Sequence, residues 1–84
     1  MARIVEIKEL GSHKRRVIVE GDSFGDLEFV KISNMLRDQF GDDISFEPPY
    51  PDTCYVVNEK GEKIPVNEPS SIRKFRFEFN IWVR

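Results

Sequence analysis

Apolar and polar residues alternate without a break along the last eleven positions, where Phe75, Phe77, Phe79, Ile81 and Val83 interleave with Lys74, Arg76, Glu78, Asn80, Trp82 and Arg84. Successive side chains of a strand point to opposite faces, whereas a helix would scatter these five apolar residues around its circumference. Residues 74–84 therefore read as a long strand with one wall in a core and the other wet and charged. At the other end, residues 3–10 and 14–20 are rich in β-branched side chains and are separated by Gly11-Ser12-His13, which predicts a β-hairpin. Val5, Ile7, Val17 and Val19 form its better core-facing set, and Ile4 and Ile18 fall on the opposite faces.

The period then changes. Gly21-Asp22-Ser23 breaks the second strand, and Ser23 followed three residues later by Asp26 is a weak capping box. Phe29, Ile32, Ser33, Leu36 and Phe40 keep helical spacing up to Gly41, a C-cap glycine, so a helix is predicted over 24–40. Leu27, Val30 and Met35 fall off that stripe and mark either a broad buried face, the default, or a small exposed apolar patch. Residues 44–46 read as a short extended piece. Glu47-Pro48-Pro49-Tyr50-Pro51-Asp52 then reads as a stiff crossover packed on the core through Tyr50, because three prolines forbid regular structure. A strand at 53–57, a hairpin turn at 58–62 and a brief return at 63–66, whose Pro65 suits an edge, lead through a polar link at 67–71 to the final strand.

This order of strand, strand, helix, strand, short strand and long strand predicts a single α+β domain. The expected architecture is a mixed sheet packed on one helix, with the final strand placed centrally beside the first. In element order and lengths the chain resembles the ubiquitin-like (β-grasp) superfold along nearly its whole length, with no family-specific motif. The resemblance implies a binding scaffold. Ubiquitin-like modifiers and sulfur carriers end in Gly-Gly, whereas this sequence ends Ile81-Trp82-Val83-Arg84, a departure that takes conjugation chemistry out of the expectation. A ferredoxin-like sandwich would need a second helix, and residues 41–52 are too rich in proline to supply one.

Charge and cysteine narrow the setting. The net charge of −2 divides into +2 over residues 1–20 (five basic, three acidic), −6 over 21–52 (two basic, eight acidic) and +2 over 53–84 (six basic, four acidic). The lone Cys54 forms no intramolecular disulfide and reads as a small strand residue in a reducing compartment. With no long apolar run and no apolar leader after Met1, the expectation is a cytoplasmic protein without a membrane span. His13 and Cys54 are too few for a zinc site, and Asp42, Asp43 and Glu47 lack the spacing of a calcium loop. Gly21, Gly25 and Gly41 do not make a phosphate cradle. The sequence thus predicts no catalytic, cofactor or metal site.

What remains is a surface. The outward face of the last strand offers Arg76, Glu78, Trp82 and Arg84, and the first hairpin adds Arg15 and Arg16. Exposed Trp and Arg are enriched where proteins bind proteins, and a free strand edge can accept a partner strand. The expected function is a non-catalytic adaptor or inhibitor that docks another protein through the exposed face or edge of its sheet. Head-to-tail self-association of the acidic middle with the basic ends is a second mode. Weak RNA or single-stranded DNA binding on the basic and aromatic face is the alternative. A single outward ring, the interruption at Glu78 and a sequence pI near 5.4 weigh against it.

Overall fold

The terminal alternation is realised as β6 (Lys74–Trp82), the middle strand of a six-stranded sheet. The computed structural model describes residues 1–68 and 72–84; the end of the polar link, 69–71, lies outside the described residues. Around β6 stand β1 (Arg3–Glu9), β2 (Lys14–Gly21), β3 (Ser45–Phe46), β4 (Thr53–Val57) and β5 (Lys63–Ile64), in the order β1-β2-β6-β4-β5. β2 runs along one side of β6, from Lys14 opposite Trp82 to Gly21 opposite Phe75. β4 and β3 share the other side, and the helix α1 (Phe29–Phe40) packs on one face.

The α+β class and the central place of the last strand agree with the sequence. Two details differ. β6 neighbours β2 rather than the first strand, and every pairing is antiparallel where a mixed sheet was expected. The cause lies in the first hairpin. β2 offers β6 an unbroken eight-residue register, whereas β1 carries an irregularity between Ile4 and Glu6, and a bulged strand suits an edge.

That bulge also corrects the facing of β1. Ile7 pairs with Val17, but beyond Val5 it is Ile4 that pairs with Val19 and packs against the core. An extra residue flips the alternation, so Val5 leaves the core set and is 39 % exposed, as is Ile7 at 37 %. Val17 and Val19 are fully buried with Phe79, Ile81, Ile32 and Leu36. Around them Tyr50 stands at ring-centroid distances of 4.8 Å from Phe79, 5.0 Å from Phe46 and 5.1 Å from Phe29, so the proline-rich loop does reach the core through Tyr50.

The predicted helix is broken near its start. Phe24–Leu27 form a 3-10 turn, Glu28 is extended at ψ 141°, and α1 begins at Phe29. Ser23 makes no side-chain cap, and the Asp26 carboxylate accepts from the Asp22 N–H instead. The break lets Leu27, which is off the main stripe, enter the core at 2 % exposure, while Val30 stays in water. On α1, Ile32, Ser33 and Leu36 are buried, and Arg37 satisfies the Ser33 hydroxyl at 2.6 Å. Gly41 ends the helix as expected, at φ 93° with its N–H on the Arg37 carbonyl at 2.8 Å.

Gly21 allows the 3-10 turn to press on the sheet. A Cβ there would lie 2.8 Å from Asp26 Cβ and 3.2 Å from Leu27 Cγ, contacts that only a shift of the turn can relieve. Gly21→Ala is expected to lower stability by about 1–3 kcal/mol, measured by urea denaturation. An unchanged midpoint would show that the turn yields freely.

Candidate interaction surface

Alternation places Arg16, Ile18 and Glu20 of β2 on the sheet face away from α1, together with Arg76, Glu78, Asn80 and Trp82 of β6. Opposite-charge residues come side by side across the strands and neutralise one another. Arg16 bonds Asp52 at 2.7 Å and Asn80 at 3.2 Å and lies 3.5 Å from Glu78, whose other oxygen accepts from the Tyr55 hydroxyl at 3.0 Å. Glu47 takes bonds from the Asn80 amide at 2.6 Å and Lys14 at 2.9 Å. Those two donors, the amide first, hold its carboxyl below the usual carboxylate range. Lys74 is paired with Asp22.

At the other end of the face Glu20 is buried at 4 % exposure between two guanidinium groups, Arg3 at 3.0 Å and Arg76 at 3.6 Å. Arg76 Nε is also buried and has no hydrogen-bond partner among the described residues, and this carboxylate is the anion beside its guanidinium.

The six residues singled out from the sequence do not form one patch. Arg16, Arg76, Glu78 and Trp82 share the outer face. Arg15 does not, because it neighbours Arg16 in a strand; it bonds the Gly11 and Lys14 carbonyls and lies 3.8 Å from Glu9. Arg84 lies beyond the end of β6, with its side chain 85 % exposed and 4.0 Å from Asp43. Trp82 is 44 % exposed, and Lys14 Nζ sits 5.1 Å from its ring centre.

The edge of the sheet was less legible, because a period-2 pattern tells which way a side chain points but not which strand lies alongside. Just past the end of β1, Leu10 N–H donates to the Lys14 carbonyl at 2.9 Å. Inward and outward bonding alternate along an antiparallel pair, so in register Lys8 and Glu6 also bond β2, while the N–H and C=O groups of Ile7 and Glu9 face away from the sheet. Beside them Val5, Ile7 and Leu10 are exposed. Leu10 is opposite Lys14, which is itself opposite Trp82, so one row crosses from the free edge to the indole.

Other chemistry finds little support among the described residues. No group of three or more His, Cys, Asp or Glu is gathered as metal ligands, and no helix is long and apolar enough to cross a membrane. His13 is opposite Val83 and Cys54 opposite Phe77, six positions apart, which at the rise of a strand is about 20 Å. They do not form a catalytic pair.

Tyr50 carries the largest perturbation. Burial, and secondarily the Cys54 thiolate, push its phenol up to about 12. The neutral form is favoured in the fold, so stability from this group is present below the unfolded phenol's pKa, near 10, and is lost as pH rises toward 12. Spectrophotometric titration is expected to show one tyrosine ionising together with alkaline unfolding in that window. In a Tyr55→Phe variant, which leaves Tyr50 as the one tyrosine, a phenolate forming near pH 10 with the fold intact contradicts this placement.

Comparisons with protein-family models, with curated proteins and with solved structures found no match to this chain.

Proposed function

We propose that the chain is a small non-catalytic protein-binding module of the cytoplasm, an adaptor or inhibitor, that takes up an extended segment of a partner protein along the free edge at β1. The observation that carries this is the outward ladder of Ile7 and Glu9 next to exposed Val5, Ile7 and Leu10. Main-chain hydrogen bonds supply affinity in such strand addition, and neighbouring side chains supply selectivity. The row from Leu10 through Lys14 to Trp82 extends the contact onto the outer face. The ubiquitin-like scaffolds, which the chain resembles in element order, serve as an analogy for binding by a small sheet without chemistry.

The outer face itself acts as a plate that orients this edge. Its Arg16, Arg76, Lys14 and Lys74 are already matched by carboxylates. A phosphate backbone would have to displace those carboxylates, which counts against RNA or single-stranded DNA as the partner.

The test selects extended peptides from a random display library on the immobilised chain and repeats the binding with Ile7→Pro. Because the Ile7 N–H faces away from β2, proline removes a donor from the free edge and none from the ladder. Selected peptides are expected to bind the native chain and to lose at least tenfold in affinity for Ile7→Pro, with the circular dichroism spectrum unchanged. Equal affinity for the two proteins overturns the edge reading.

A further inference from the structure

We infer that one partner of this edge is a second copy of the chain, bound through antiparallel pairing of β1 with β1 about a two-fold axis at Ile7. The inference rests on the edge reading above and names the register. The bulge at Val5 interrupts the strand, so the flat segment open to pairing is 6–9. Within it only Ile7 and Glu9 direct their backbone groups outward, and a symmetric ladder must align outward groups with outward groups.

Few symmetric registers meet that condition, and charge separates them. Centring on Glu6 sets Glu6 against its own copy, centring on Lys8 sets Lys8 against its own copy, and centring on Glu9 opposes two carboxylates. Like charges directly opposite one another across strands repel. Centring on Ile7 gives a different result. The two Ile7 residues exchange both backbone hydrogen bonds, and Glu6 of each copy stands opposite Lys8 of the other, twice over. Glu6 and Lys8 are both exposed and neither has a salt-bridge partner among the described residues, so no internal pair is broken. Glu9 meets Val5 at the flanks and keeps its contact with Arg15.

The apolar side chains agree with this choice. Ile7 sits on the face that carries α1, next to Val17, and is left 37 % exposed because β1 is the edge strand and no described strand lies on its outer side. On the axis, each Ile7 covers the other. The association is isologous and closed, since each edge is used once and no further copy can add at β1.

Charge exchange supplies the test. Glu6→Lys alone would place cations opposite cations, and Lys8→Glu alone would place anions opposite anions. A mixture of these two variants restores both opposite-charge pairs. Analytical ultracentrifugation of the native chain from micromolar to millimolar concentration is expected to show a monomer–dimer equilibrium that tightens at low salt. Each single variant is expected to be at least tenfold weaker, and the mixture to form the mixed dimer with near-native affinity. Recovery on mixing is something a folding defect cannot produce. A native chain that stays monomeric throughout overturns the inference, as do single variants that dimerise like the native chain, or a mixture that does not recover. If the native chain is monomeric yet binds selected peptides in an Ile7-dependent way, self-pairing falls and the edge reading stands. If peptide binding is absent as well, both fall.

Discussion

Phe79→Ala is expected to remove about 3–5 kcal/mol of stability, while Trp82→Ala, three positions along the same strand, removes about 1 kcal/mol or less. Phe79 is fully buried, packed on Tyr50 at 4.8 Å and Phe46 at 5.6 Å between centroids, and sits opposite Val17 beneath α1. Truncation leaves a cavity at the point where sheet, helix and proline-rich loop converge, and aromatic rings facing it on two sides cannot close the gap without moving the loop. A domain of 84 residues has a total stability of roughly 4–13 kcal/mol, so the Phe79 variant is expected to be partly or wholly unfolded at room temperature. Trp82 faces the other way, is 44 % exposed, and loses mainly its contact with Lys14. Urea denaturation of the two variants distinguishes the faces. Equal losses would mean that β6 does not divide core from solvent.

The second large effect is expected at Glu20. Breaking a buried ion pair by removing one partner costs more than the pair contributes, because the remaining charge is stranded. Glu20→Ala leaves Arg76 with a buried Nε that has no partner and a guanidinium with no salt bridge among the described residues. A loss of about 3 kcal/mol is expected, at the lower end of the usual range because the Arg3 side chain can still turn into water. The paired replacement Glu20→Leu with Arg76→Leu is expected to recover most of it, since an apolar pair of similar volume strands no charge. Thermal denaturation of the single and double variants decides the matter. A double variant no more stable than Glu20→Ala would show that shape rather than charge holds this corner. For the same reason Arg76→Glu is a poor probe of the surface, as it sets two carboxylates together at a buried site.

How far the sequence foretold this structure depends on the range of the interactions involved. The terminal strand was legible because alternation is a local property, and Gly41 because a C-cap needs a left-handed residue at one place. The anchoring of the proline-rich loop by Tyr50 was likewise legible, as the only large aromatic within it. What failed depends on neighbours distant in sequence. Nothing in the string Ile4-Val5-Glu6 marks a bulge, since both possible alternations of β1 carry apolar residues. The extended Glu28 arises from Leu27 being drawn against a glycine six positions earlier, a tertiary contact that outweighs helical spacing. The candidate site suffered most. Arg76 and Glu78 lie on the outer face as the alternation of the last strand implies, but that Arg16 joins them while Arg15 does not, and that these charges neutralise one another, depends on register, and the exposure of Val5 and Ile7 depends on β1 being the edge strand.

The position of β6 in the chain has a consequence for biosynthesis. A ribosome delivers the centre of this sheet after all the strands that flank it, so until residue 82 emerges β2 and β4 have no template between them and their inner sides lie bare. The first hairpin and α1 can form early, yet Val17, Val19, Ile32 and Leu36 lack the fully buried Phe79 and Ile81 at the centre of their cluster until β6 arrives. Nascent chains stalled before residue 74 should therefore be sticky, chaperone-bound and protease-sensitive, and protection should appear in a single late step.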